Sequence, residues 1–360
     1  MKKSLLALAA LTAFTGVASA QSSVTLFGIV DLAARNVKNG SQSIKSLSTN
    51  GMSSSRLGFR GVEDLGGGLR AGFWIEGDLS ADVGGGTAST GAGAVAGGQT
   101  WVRRSTLSLM GGFGEVRLGR DLTPSFLNHV VFDPFATVGV GSQLNLIVQQ
   151  GQTSPLAGGA ATLVRASNSI GYFLPALGGL YGQVQLAAGE GTTGNKYIGG
   201  RIGYAAGPVN VAAAVGKTEI NGTTDMNAMN VGASFNMGFM TLMGQWHKYK
   251  VDFTAPTVDI DQTNYVIAAV VPFGASTLKA SYGKANSTGT SRDGTQMAVG
   301  YQYSMSKRTT LYTHLSRISN GAGARYQASN AGPAFSATPG LTAASKPSSQ
   351  AYEFGINHTF

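Results

Sequence analysis

SSRLGFRGVEDLGGGLRAGFWIEGDL, residues 54–79, decides how the rest of the chain is read. From Arg56 the residues alternate, with Arg56, Gly58 and Arg60 on one parity and Leu57, Phe59 and Gly61 on the other. Successive side chains of a strand point to opposite faces, so one face of this strand is basic and the other apolar. DLGGG (64–68) supplies a tight turn. Beyond it Arg70, Gly72, Trp74, Glu76 and Asp78 share one face, and Leu69, Ala71, Phe73, Ile75 and Leu79 the other. Such a hairpin fits a soluble sandwich with its charges in solvent. It fits equally a membrane barrel with apolar residues toward lipid and charges toward a wet lumen.

Residues upstream of the hairpin favour the second reading. Lys2 and Lys3, the apolar run Leu5 to Phe14 and the small residues Ala18-Ser19-Ala20 form an export signal over residues 1–20, which places a domain of residues 21–360 outside the cytoplasm. The chain has no cysteine, so an exported fold of this length needs another means of closure, and a large closed sheet provides one. With mean hydropathy at +0.05, no segment after the signal reaches the roughly 18 apolar residues of a membrane helix. Removing Lys2 and Lys3 takes the formal charge from +9 to +7. Export, and the scatter of Lys and Arg along alternating strands, disfavour nucleic acid as a partner.

From Val24 the alternation starts at once, with Val24, Leu26, Gly28, Val30 and Leu32 opposed to Thr25, Phe27, Ile29, Asp31 and Arg35. Residues 36–53 read as a polar loop and the Gly-rich stretch 80–100 as a surface loop, since it lacks the flanking strand, helix and Lys-Ser/Thr pair of a phosphate loop. Residues 121–162 form the longest interior stretch without alternation, which in a barrel could fold inward and narrow the pore. Thereafter short turns alternate with longer polar loops near 189–195, 219–225, 251–261, 286–294 and 319–349. Outer-membrane barrels place short turns on one side and long loops on the other, and the count comes to about 16 strands. The closing strand, Tyr352 to Phe360, has to pair with the first to remove both edges.

SSVTLFGIVD (22–31), the 54–76 hairpin, FGEVRLGRDLTP (113–124), RASNSIGYFLP (165–175), YQYSMSKRTTLYTHLSRI (301–318) and GINHTF (355–360) together resemble the trimeric general porins of Gram-negative outer membranes, nearest to the betaproteobacterial anion-preferring type. The resemblance spans the exported part end to end. It implies an all-β fold, a 16-stranded antiparallel transmembrane β-barrel with an inward-folded third long loop, assembled as a homotrimer among outer-membrane lipid and lipopolysaccharide. Small hydrophilic or anionic solutes would pass it by diffusion, without a reaction or a cofactor. Motif by motif it carries an arginine ladder onto Arg56, Arg103 and Arg165. Strand parity, with Leu107 and Leu109 toward lipid, favours Arg104 over Arg103, so both stay as candidates. Arg60 shares the face of Arg56; Arg117 and Arg201 are weaker candidates. On the loop side Asp121 and Asp133 are the only carboxylates between residues 121 and 162, a thin negative wall that favours anions.

Other chemistries have less support. His129, His247, His314 and His358 lie in unrelated segments without triad or metal spacing. Asp252, Asp259 and Asp261 share one outer loop and could hold a divalent cation, though solvated carboxylates are the default. Two alternative functions remain at this stage, a substrate-selective anion channel and an adhesin or receptor that uses the barrel as an anchor.

Overall fold

A computed structural model of the chain describes residues 23–86, 98, 100–147, 161–190, 196–253, 259–288, 292–329 and 345–360. The proposed signal, residues 1–20, and most of the Gly-rich stretch lie outside the described residues. Everything described is organised by one antiparallel sheet closed on itself. Its strands are β1 (Ser23–Asn39), β2 (Gln42–Thr49), β3 (Arg56–Gly66), β4 (Leu69–Asp78), β5 (Arg104–Gly111), β6 (Gly114–Leu122), β7 (Arg165–Phe173), β8 (Leu180–Ala187) and β9 (Lys196–Ala206). They continue as β10 (Val209–Asn221), β11 (Thr224–Asn236), β12 (Thr241–Phe253), β13 (Ile260–Phe273), β14 (Ser276–Thr288), β15 (Gly294–Ser304), β16 (Thr309–Asn320) and β17 (Ser348–Thr359). β2 and β3 both pair with β1, each strand from β3 onward pairs with the next, and β1 closes the barrel on β17 from Ile29↔Thr359 to Asn39↔Ser349. Closure on β17 removes the edges of the first and last strands, while β2 pairs with β1 alone among the described residues.

The barrel has 16 staves because β2 and β3 are halves of one. The lower part of β1 (Ser23–Ile29) pairs with β3 and its upper part (Leu32–Asn39) with β2. Residues 36–53 are therefore largely strand, against the expectation of a loop. QSIKSLST forms a strand because it pairs residue by residue with Leu32–Asn39, a long-range contact that hydropathy alone does not read. Residues 50–55 interrupt the stave around Asp31, whose carboxylate is fully buried. It accepts hydrogen bonds from the backbone N–H groups of Gly51 (2.7 Å), Met52 (3.1 Å) and Ser53 (3.0 Å), from Tyr312 Oη–H (2.6 Å) and from Asn357 Nδ2 (2.8 Å). A similar correction applies to residues 219–225, where β10 and β11 are joined by a two-residue turn instead of a long loop. Lys217, Glu219 and Asp225 sit on paired strands there, with Lys217 and Asp225 2.7 Å apart.

Side-chain direction follows the alternation. Val24, Leu26, Leu107, Ile198, Ile267, Leu315, Tyr352 and Phe354 are exposed on the outer face, in the manner of a lipid-facing band. Their neighbours Ala33, Tyr197, Ala212, Ala268 and Ala351 are buried inside. The apolar core is the contact between the inward loop and the wall. One cluster joins Val140 and Leu146 to Val37, Ala285, Ile318 and Tyr326; a second joins Ile147 to Met226, Tyr249 and Val251.

Candidate functional site

The loop after β6 is described over residues 123–147 and 161–164, with 148–160 of the expected 121–162 loop outside the described residues, and its two ends lie two residues later than expected because Asp121 and Leu122 still pair with Ala166 and Arg165. It is also less irregular than its sequence implies. Pro124 at the first turn opens the helix α1 (Pro124–Phe132), where its missing N–H costs nothing. The buried face of α1 is held by the inner wall. Asn128 Nδ2 donates to Asn230 Oδ1 (2.8 Å), Asn230 Nδ2 donates to Ser125 O (2.9 Å), Arg201 Nε donates to Asn128 Oδ1, and His129 Nε2 bonds Tyr249 Oη. Phe132 fills the space that a side chain at Gly232 would occupy.

Past the helix the loop crosses to β13–β17. Leu146 O accepts from Gln262 Nε2 (2.7 Å) and Asn264 Nδ2 (3.1 Å), and Gln143 Nε2 donates to Ser281 Oγ (2.9 Å). Gly139, at φ +69°, lies against the carbonyl of Gly51 in the interrupted stave, where any side chain would collide. Glu353 then secures the tip. Its carboxylate accepts from Arg35 Nε (2.8 Å), from the Val140 N–H (3.3 Å) and pairs with His314 Nδ1 (3.0 Å).

Both loop carboxylates of the sequence reading have other places. Asp121 belongs to the end of β6, on the arginine side, with Oδ2 2.5 Å from Arg117 Nη1 and Oδ1 3.5 Å from Arg104 Nε. Asp133 is buried and organises the loop from within. Its oxygens accept from the N–H groups of Phe135 (2.9 Å), Thr137 (3.2 Å) and Gln143 (3.0 Å). Burial pushes its pKa up to about 6 in spite of those bonds. Burial likewise pushes the His129 imidazole down to about 4. Neither carboxylate presents a negative surface opposite the arginines.

The arginines themselves converge on β3–β7. Arg56 Nη1 lies 3.6 Å from Glu76 Oε1, and Arg103 bridges Glu76 (2.6 Å) and Asp78 (3.0 Å). Arg165 Nε donates to the carbonyl of Arg103 (2.7 Å). Arg103 and Arg104 both belong to this cluster. β5 begins at Arg104, whose parity matches the buried Thr106 and Ser108, whereas Arg103 precedes the strand and is free of its alternation. Arg104 lies over the Trp74 ring at 4.6 Å, and Arg60 lies over the rings of Trp74 (5.1 Å) and Phe27 (5.3 Å). Arg117 pairs with Glu115 at 2.8 Å. Arg120, which sequence parity does not select, donates to Val102 O (2.6 Å) and Ser167 Oγ (2.7 Å). It does so because the β6–β7 register shifts beside Asn168, which sits at φ 54°. Arg201 stands apart on β9, against the loop helix and Tyr181.

Four carboxylates, Glu76, Asp78, Glu115 and Asp121, are shared among Arg56, Arg103, Arg104 and Arg117, while Arg60, Arg120 and Arg165 form no ion pair among the described residues. The outer-loop aspartates do not gather. Asp252 pairs with Lys250 (2.5 Å) and Asp261 with Lys248 (2.9 Å), and the described residues contain no cluster of three acidic or imidazole groups suited to a metal.

Known proteins share both sequence and fold with this chain. The family described as Gram-negative porin matches residues 7–324. Outer membrane porin protein 32 of Delftia acidovorans is 40% identical over 337 residues, which cover 89% of this chain and 90% of that protein. An outer membrane porin protein of Bordetella pertussis is 26% identical over 391 residues, covering 89% and 95%. Among solved structures, an anion-selective porin from Comamonas acidovorans superposes with a TM-score of 0.79 at 35% identity, over 94% of this chain and all of that one. The closed 16-stave barrel, the inward loop and these matches agree, and the chain belongs to the Gram-negative porin family.

Proposed function

We propose that this outer-membrane porin passes small hydrophilic solutes by diffusion and prefers anions, with Arg56, Arg60, Arg103, Arg104 and Arg165 forming the charged side of its constriction. One observation carries the reading: Arg56, Arg103, Arg104 and Arg117 share Glu76, Asp78, Glu115 and Asp121, Arg60, Arg120 and Arg165 beside them form no ion pair among the described residues, and the remaining loop carboxylate, Asp133, is engaged within the loop. Guanidinium groups keep their charge at every physiological pH, and neighbouring positive groups raise the local concentration of anions. Transport at a wet constriction needs attraction weak enough for release, which clustered but hydrated arginines provide. The Comamonas acidovorans structure, named an anion-selective porin, is consistent with this.

The same reading includes removal of residues 1–20 as an export signal, a homotrimer in outer-membrane lipid, and neither reaction nor cofactor. His314 and Glu353, the one buried imidazole–carboxylate pair described, are engaged in holding the loop. Single-channel recording of the purified protein in a planar bilayer tests the proposal. Stepwise ohmic currents are expected, and a protein that inserts without conducting would remove the channel reading in favour of an anchored receptor.

A further inference from the structure

At the turn-proximal end of the constriction arginines, on the same wall, lies a cavity of about 370 Å³ lined by Arg60, Arg104, Trp74, Val62, Met110 and Thr106, with Glu115 and Arg117 at one side. Arg60 is four residues nearer the Gly66–Gly68 turn than Arg56 on the same strand, about 13 Å further along the wall. Three features distinguish it from the ion-paired cluster above.

Arg60 is exposed, is held by the rings of Phe27 and Trp74, and forms no ion pair among the described residues. Its donors are thus oriented yet available. Thr106, 7% exposed, lines the cavity with a buried hydroxyl that has no hydrogen-bond partner, an uncommon state for a buried polar group and one that a bound acceptor would relieve. Val62 and Met110 add apolar surface on the lumen side of the sheet, where polar residues are the rule. Glu115 does not compete for Arg60, since its oxygens accept from Arg117 Nε (2.8 Å) and Nη2 (2.9 Å).

From this juxtaposition we infer that the cavity is a second solute subsite, selective for monoanions with an apolar body such as aromatic carboxylates. The carboxylate accepts from the Arg60 guanidinium and the Thr106 hydroxyl, and the body lies against Trp74, Val62 and Met110. Small inorganic anions gain only the charge; aliphatic acids of two carbons gain little of the apolar contact. This inference rests on the reading of the chain as an anion-preferring channel and names a class of solute that it retains in transit.

The test is a titration of chloride current through the trimer in a planar bilayer with sodium benzoate, and separately with sodium acetate. Benzoate should half-block at a concentration about tenfold or more below that of acetate. Arg60→Gln should raise the benzoate value about tenfold, and the isosteric Thr106→Val about fivefold. Equal half-blocking concentrations for the two acids in the unmodified protein would overturn the subsite, as would a benzoate block unaltered in both variants. The zero-current potential recorded in the same membranes reports on anion preference separately, so loss of the subsite and loss of the proposed function give different results.

Discussion

Two walls of one barrel solve opposite problems. The wall β3–β8 is built from short strands, 8–11 residues each, and its inward face is crowded with guanidinium groups whose partners are few. The wall β10–β14 uses strands of 13–14 residues, and its inward groups opposite the loop are amides, hydroxyls and imidazoles such as Asn230, Gln262, Asn264, Ser281 and His247. Covered by the loop, Asn230, Gln262, Asn264 and Ser281 find partners in α1 and in residues 143–146, as buried polar groups must, while His247 packs edge-on against the His129 ring. Facing water, the arginines need no such pairing. Unpaired charge on these two walls therefore lies mostly where the loop does not cover it, and neutral polarity serves most of β10–β14, with Lys279 beside Asp133 as the exception.

The attachment of the loop is most vulnerable at Glu353, on β17. It is a buried carboxylate on the loop-bearing side, and replacing it with alanine leaves Arg35 buried without its counter-charge and the Val140 N–H without an acceptor. We expect a loss of about 3–5 kcal/mol in denaturant unfolding of the detergent-solubilised protein, together with noisy single-channel currents from a loosened loop.

A smaller effect, and one that depends on pH, is expected at the two titratable groups within the loop. Asp133 takes up its proton more readily folded than unfolded, so its contribution to stability grows as pH falls from about 6 toward 3.8. His129 behaves oppositely: the unfolded chain binds a proton below 6.5 that the folded one refuses until about 4, so stability is lost as pH falls through that window. The two offset each other near pH 5. Asp133→Asn removes one side of the balance, and acidification from pH 7 to 4.5 should then cost on the order of 2 kcal/mol more than in the unmodified protein, while anion preference at pH 7 stays the same.

On the uncovered wall, replacing Arg56 and Arg165 together by serine should lower the chloride-to-potassium permeability ratio roughly fivefold, about 1 kcal/mol of electrostatic attraction in a wet site. An unchanged ratio would remove the functional distinction between the walls. The smallest effect is expected outside both. Lys248→Gln breaks an exposed pair with Asp261 and should change stability by less than about 1 kcal/mol, with no change in selectivity.

Much of this was legible in the sequence, because it rests on local alternation. The hairpin 54–79 announces its basic face, the terminal aromatics announce the lipid face, and the turns set the number of staves. What escaped depends on contacts distant in the chain. Interruption of the second stave follows from Asp31 meeting Gly51, Tyr312 and Asn357, which no local pattern encodes. PSFLNHVVF (124–132) becomes a helix because Asn230, Arg201 and Tyr249 receive its polar side. Asp133 reads as a pore carboxylate until its three backbone donors are seen. Arg120 enters the cluster through a register shift opposite Asn168, and a strict count of parity passes over it.

If the uncovered arginine wall sets the charge preference of the channel, that preference is readable in the zero-current potential of the purified protein across a planar bilayer with a tenfold KCl gradient. A potential of the sign set by chloride permeation is expected, reduced in magnitude when Arg56 and Arg165 are both serine. A potential of the potassium sign in the unmodified protein, or none at all, would contradict the role given to the arginines.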